Sequence, residues 1–207
     1  MEIKPGSPNR WHFTVLLSTL LLSGFMSSCE EESLFDQNSY YIFTAMHNGK
    51  VLDVGCETVH DPLKPNSDLD NVCAFERHEG DNQQWKIEYL GDNKYRLIAR
   101  HNGKVLSVGC NDVHDPGKPN EDRDNVCVLD WGKSQSQQWK IELLEDNTYR
   151  LTAIHNGKVL DVGCENVHDP SKPNSDLDNV CAFEWHGGSN QRWSTNKLSF
   201  PAWHGGQ

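Results

Sequence analysis

The sequence predicts an all-β domain of twelve short strands, built as three copies of one four-strand unit. Three observations carry this reading. HNGKVLDVG at His47–Gly55 returns as HNGKVLSVG at His101–Gly109 and as HNGKVLDVG at His155–Gly163, each copy 54 residues after the last. The copies continue through a Pro/Asn/Asp-rich run and close on NQQW, SQQW and NQRW at Trp85, Trp139 and Trp193, with no insertion or deletion. The segments between turn formers are short, β-branched and aromatic, and no window beyond residue 38 keeps a helical period. Self-similarity at a fixed period decides architecture ahead of any local reading.

Each unit reads the same way in chain order. YYIFTA (Tyr40–Ala45), YRLIA (Tyr95–Ala99) and YRLTA (Tyr149–Ala153) suit a first strand. Asn48-Gly49, Asn102-Gly103 and Asn156-Gly157 predict a type I′ turn, whose two central residues both need positive φ. Val51–Val54 and its copies form the second strand. The run Val59–Asn71, with two prolines and several Asx residues, is a loop. Val72–Phe75 is the third strand, Glu79–Asn82 turns the chain, and Trp85–Leu90 is the fourth. Four strands taken three times fit a β-trefoil, a six-stranded barrel capped by three hairpins. The alternative is a three-bladed propeller-like array, although propellers ordinarily have at least four blades.

The flanks differ in kind. In residues 1–28, Lys4 and Arg10 precede an apolar run, Trp11 to Met26, which reads as an export signal. LLLSGFMSSC, ending at Cys29, looks like the cleavage region of bacterial lipoproteins, in which the cysteine becomes the lipidated first residue. An ordinary cleaved signal with an incidental Cys29 is the alternative. Residues 29–38 read as a tether without a core of its own, 39–199 as the folded domain, and 200–207 as a tail. The expected location is the cell envelope or surface through a lipid on Cys29, and otherwise the secreted fraction.

There are seven cysteines. Six fall as one pair per repeat, Cys56/Cys73, Cys110/Cys127 and Cys164/Cys181, and Cys29 is left over. An odd cysteine in an exported chain calls for an explanation, and acylation supplies one. One pair per repeat is not the two-pair pattern of a zinc site. A disulfide in each repeat suits an oxidising compartment. Each would close a loop worth about 3 kcal/mol in the chain-entropy model. The formal charge of −11 argues against nucleic acid as a partner and against electrostatic docking on an anionic bilayer.

Gln83-Gln84-Trp85, Gln137-Gln138-Trp139 and Gln191-Arg192-Trp193 each match Q-x-W downstream of a GKVL(D/S)V strand. This combination, spanning about residues 39–198, resembles the ricin-type β-trefoil lectin family. The resemblance implies a β-trefoil with one disulfide between the second and third strands of each repeat. It implies a buried Q-x-W tryptophan and a glutamine that holds the sugar-site residues in place. It also implies carbohydrate binding without enzyme activity, with glycans or glycoconjugates as partners. If Asp53 faces Phe75 across the hairpin, Cys56 comes one residue out of register with Cys73.

A sugar offers hydroxyls that donate and accept, and a less polar face of C–H bonds. A carboxylate accepts from two hydroxyls, an amide both donates and accepts, and an aromatic ring covers the C–H face. Carried over by the resemblance, the sugar-binding residues are Asp53, Phe75, Asn82 and Gln83 in repeat one and Asp161, Phe183, Asn190 and Gln191 in repeat three. Repeat two has Ser107, Leu129, Ser136 and Gln137 instead. Three differences inside an otherwise intact frame predict two competent sites and one blank. The plainer alternative is that Asp53 and Asp161 are solvated strand residues. Trp185, two residues beyond Phe183, is an alternative platform.

No catalytic residue and no metal site are expected, because nothing in the repeats supplies an asymmetric acid–base pair. Asp68, Asp70 and Asn71 recur with the spacing of calcium-type oxygen ligands, without the closing glutamate of an EF-hand. His47, His60 and their copies read as local turn residues. A disulfide-stapled structural or protein-interaction trefoil is the alternative function.

Overall fold

The structure is a computed structural model that describes residues 33–55, 70–109, 124–163 and 179–199. Residues 1–28, Cys29 and the proline-rich loops with Cys56, Cys110 and Cys164 lie outside these, so the export and lipidation expectations do too, as does Asp68 of the calcium alternative.

Twelve strands form one sheet. They are β1 (Tyr40–Ala45), β2 (Val51–Val54), β3 (Val72–Phe75), β4 (Trp85–Gly91), β5 (Lys94–Ala99), β6 (Val105–Val108), β7 (Val126–Leu129), β8 (Trp139–Leu143), β9 (Tyr149–Ala153), β10 (Val159–Val162), β11 (Val180–Phe183) and β12 (Trp193–Leu198). Pairings β1–β4, β4–β5, β5–β8, β8–β9, β9–β12 and β12–β1 close a six-stranded antiparallel barrel. The hairpins β2–β3, β6–β7 and β10–β11 stand on it. Bridges Asn71↔Cys127, Cys73↔Asn179 and Asn125↔Cys181 join the hairpins to one another. This is a β-trefoil, and the closed ring leaves the barrel strands no free edge.

Alternation along the strands builds the core. Leu52, Val54, Val72 and Ala74 face inward with Phe43, Trp85 and Ile87, and their copies do the same in the other repeats. The three Q-x-W tryptophans are fully buried. Each indole N–H finds the acceptor that burial demands, donating to the carbonyl of Leu52, Leu106 or Leu160 at 3.0, 3.0 and 3.1 Å. The fourth strand of each repeat is thereby fastened to the second.

Three expectations are corrected. Only the glycine of each Asn-Gly pair has positive φ (Gly49, +76°), so these turns are not type I′. Asn48 Oδ1 instead accepts from Lys50 N–H at 3.0 Å, and Gly49 N–H reaches Ala45 O at 2.9 Å. Consecutive left-handed residues occur instead at Asp92 and Asn93, after Gly91 at +88°, in the tight β4–β5 link. The β2–β3 register sets Val51 opposite Phe75 and Asp53 opposite Cys73, two residues from the expected pairing. A slip of two leaves every side chain on its original face, so hydrophobic patterning cannot detect it. Finally, Phe35 is part of the core. Its ring meets Tyr41 and Tyr95 edge-on, with centroids 5.2 and 5.9 Å away, and Tyr149 at 5.3 Å. Those tyrosines occupy equivalent places in the three repeats, so one phenylalanine plugs the barrel near its threefold axis. Asp36 N–H and Leu34 N–H donate to the Tyr41 and Tyr95 hydroxyls at 2.8 and 3.3 Å.

Candidate functional site

The site in repeat one is assembled from β2, the end of β3 and the one-turn 3-10 helix Asp81–Gln83. Asp53 projects from the face of the hairpin opposite the core. Its carboxylate is almost wholly buried and is held from three sides. Asn82 Nδ2 donates to Oδ1 at 2.6 Å, and Gln83 Nε2 donates to Oδ2 at 2.7 Å. His78 Nε2 lies 3.2 Å from Oδ2. Burial raises the Asp53 pKa, opposed by Gln83, His78 and Asn82. Phe75, two residues from Cys73 on the same face, stands half-buried beside the pocket. Its ring is T-shaped to His78 at 6.0 Å.

Repeat three repeats this geometry. Asn190 Nδ2 donates to Asp161 Oδ1 at 2.7 Å, and His186 Nε2 lies 3.5 Å from Oδ2. Phe183 and His186 are T-shaped at 6.2 Å. Burial raises the Asp161 pKa as well, against hydrogen bonds from Gln191 and Asn190 and the nearby His186.

Repeat two keeps the frame and lacks the site. Ser107 turns its hydroxyl onto the Val105 carbonyl at 2.9 Å. Ser136, in the place of Asn82, donates its N–H and hydroxyl to Ser134 Oγ. Gln137 nevertheless does what Gln83 and Gln191 do for the loop. Its carbonyl accepts from Gly132 N–H at 2.7 Å and its amide donates to Asp130 O at 2.8 Å. The equivalent bonds of Gln83 run to His78 N–H and Glu76 O at 2.9 and 2.8 Å. Gln83 and Gln191 have no exposed surface. They position the loop and the carboxylate.

The structure therefore brings Asp53, Asn82 and Gln83 into one pocket beside Phe75, and Asp161, Asn190 and Gln191 beside Phe183. It adds two residues that sequence reasoning missed, His78 and His186, whose side chains are 44% and 47% exposed at the pocket mouths. Their signal was present. Position 78 reads His/Gly/His through the three repeats and position 80 reads Gly/Ser/Gly, matching Asp/Ser/Asp at 53 and Asn/Ser/Asn at 82.

Trp185 stands beyond the end of β11, with the Arg150 guanidinium 4.9 Å over one ring face. Trp131 and Arg96 repeat this stack at 4.7 Å. In repeat one Arg77 takes the tryptophan's place and pairs with Glu79 at 3.2 Å. Asp70, one of the three residues with calcium-type spacing, is ion-paired with Lys104. Among the described residues no group of three or more His, Cys, Asp or Glu is placed to hold a metal.

Comparison with known proteins agrees with this fold. A family model described as "Ricin-type beta-trefoil lectin domain-like" matches residues 33–121, 81–172 and 135–203. No curated protein matches the sequence significantly. Among solved structures, the designed threefold-symmetric protein ThreeFoil superposes with a TM-score of 0.57 at 35% identity, over 77% of this chain and 99% of that one. A Macrolepiota procera ricin B-like lectin in complex with lactose gives 0.53 at 16% identity, over 79% and 99%. An exo-β-1,3-galactanase from Clostridium thermocellum gives 0.57 at 20% identity, over 81% of this chain and only 32% of that one. The trefoil thus occurs both alone and as a part of larger proteins.

Proposed function

The chain belongs to the ricin-type β-trefoil lectin-like family, and from that premise we propose that it is a non-catalytic glycan-binding protein with sites in repeats one and three. The observation that carries this reading is the paired difference between repeats. Where Asp53 and Asp161 lie buried beneath an amide, a histidine and a phenyl ring, repeat two replaces all four groups together and keeps the scaffold. A carboxylate fixed by Gln83 and Asn82 is pre-organised to accept from vicinal hydroxyls, so little ordering is left to be done on binding. Phe75 offers an apolar face, and half-exposed His78 is the movable side chain over the carboxylate. In repeat three Asp161, Phe183, Asn190 and His186 take the same parts.

Two shallow sites on one rigid body favour clustered glycans, where avidity can exceed single-site affinity by about 10²–10⁴. Asp53→Ala and Asp161→Ala should each halve the number of sugar sites in a calorimetric titration and sharply weaken binding to a dense glycan surface. The double variant should be inert yet folded, and Ser107→Ala should change neither quantity. Wild-type binding by the double variant would overturn the assignment and favour a protein-interaction trefoil.

Export and acylation at Cys29 complete the proposal, supported by LLLSGFMSSC and by the unmatched seventh cysteine. Mass spectrometry of the native protein should find a lipidated Cys29 at the mature terminus. An unmodified terminus would reject it.

A further inference from the structure

Each first hairpin docks on the preceding repeat around the pseudo-threefold axis. Arg100 N–H donates to Gln84 O at 2.9 Å, Ile154 N–H to Gln138 O at 2.9 Å, and Met46 N–H to Arg192 O at 3.0 Å. Lys104, at the end of the repeat-two hairpin, is ion-paired with Asp70 of repeat one, and Lys158 with Asp124 in the same relation. The hairpin of repeat two therefore packs beside the Asp81–Gln83 helix of repeat one. Between the two lies an open groove of ≈ 770 Å³, lined by Val54, Gly55, Asp81, Asn82, His101 and Asn102, with the Asp70–Lys104 pair beside them. Asn82 belongs to both places, since it lines the groove while its Nδ2 holds Asp53.

The lining has a definite chemistry. Lys104 is engaged by Asp70, and Arg100 lies 3.4 Å from Asp81. Burial lowers the His101 pKa, against the pull of Asp53, Asp70 and Asp81. A neutral imidazole donates from one nitrogen and accepts at the other, and Asn102, whose Oδ1 accepts from Lys104 N–H at 2.9 Å, adds the donor Nδ2. The groove's two carboxylates, Asp70 and Asp81, are each matched by a cation, Lys104 and Arg100, so the lining carries no net charge of either sign for an ionic ligand. A neutral saccharide meets donors and acceptors in the mixture its hydroxyls require. Pockets of about 300–1,000 Å³ hold ligands of drug size, larger than one hexose.

We propose that the repeat-one site is composite: a sugar seated over Asp53 continues past Asn82 into this groove, where His101 and Asn102 of repeat two hold a second unit. The ligand is then a neutral glycan of at least two sugars. This rests on the carbohydrate reading above.

The test uses the full chain carrying Asp161→Ala, so that repeat one alone reports. The probes are galactose, N-acetylglucosamine and mannose, each alone and in α- and β-linked disaccharides, titrated calorimetrically. For the sugar that binds, one disaccharide should bind roughly tenfold more tightly, as expected for one or two added hydrogen bonds. His101→Ala should remove most of that gain and leave the monosaccharide affinity unchanged. His155→Ala, the same hairpin position beside the blank site, should alter neither. Equal binding of mono- and disaccharides would overturn the composite site, as would equal losses on both in His101→Ala or a matching loss in His155→Ala. Failure of every saccharide to bind would instead remove the carbohydrate reading itself, and the composite site with it.

Discussion

Gly80 N–H donates to His78 Nδ1 at 3.2 Å, which leaves Nε2 as the nitrogen that carries the proton toward Asp53 Oδ2. Gly188 and His186 repeat the bond at 3.2 Å. The glycines are needed for space and not for conformation, since their φ values are −65° and −66°. A Cβ on Gly80 would lie 2.6 Å from Asn82 Oδ1 and 2.8 Å from the His78 ring. Both neighbours are side chains that can swing away, and both are site residues. Gly80→Ser with Gly188→Ser should therefore abolish saccharide binding while costing under about 1 kcal/mol of stability. Calorimetric titration beside a thermal melt checks this, and unchanged affinity in the double variant would sink it.

Acid should separate binding from folding. Asp53 and Asp161 have raised pKa values in the folded state, so the folded chain takes up their protons more readily than the unfolded one. Their charged forms cost stability at neutral pH, and that cost shrinks as pH falls through the raised folded pKa and is gone below the ordinary carboxylate value. Protonation also removes the acceptor that the site offers. Other carboxyls work in the opposite sense. Burial pushes Glu88 and Glu142 up, but bonds from Lys86 and Arg96, and from Lys140 and Arg150, outweigh it and hold both below their ordinary value. The Lys197 hydrogen bond holds Asp36 at about 2. Their stabilisation is complete above the ordinary carboxylate pKa and is lost as pH falls through the lowered values. Affinity should fall at a higher pH than near-UV circular dichroism, both followed from pH 7 to 2. Coincident midpoints would contradict the assignment.

Cys73, Cys127 and Cys181 are buried and disulfide-bonded. The expected partners are Cys56, Cys110 and Cys164. Non-reducing peptide mapping should recover these three links and no cross-repeat one. Replacing one pair by alanine should cost about 3 kcal/mol in denaturant unfolding.

Phe35 is 5% exposed among three tyrosines. Phe35→Ala should cost about 3–5 kcal/mol and leave saccharide affinity as it was, because the plug touches neither pocket. Urea unfolding beside a binding titration separates the two effects.

The sequence-based strands fall where the structure has them, because β-branched runs bounded by turn formers leave little alternative. The pocket members carried over by resemblance converge because Q-x-W places the amide and glutamine on a short helix facing β2. What escaped follows from physics that patterning does not encode. The β2–β3 register differs by two, which preserves both faces. Phe35 sits in a short charged segment, and only the closed barrel makes a seat for it. The Asn-Gly pairs do not form type I′ turns because five residues link β1 to β2, and the Asn48 side chain and Gly49 N–H close that longer turn locally. His78 and His186 were legible, had every position shared by repeats one and three and altered in repeat two been compared.

The Ser134 that occupies the place of Gly80 also constrains how the protein can change. Restoring Gly132→His alone would set a ring against the Ser134 side chain. Restoring Ser107→Asp alone would bury a carboxylate without its asparagine and histidine. Neither of these two steps alone yields a working third site, so each gains value only after others have been made. A third site built like the other two lies five changes away, at positions 107, 129, 132, 134 and 136.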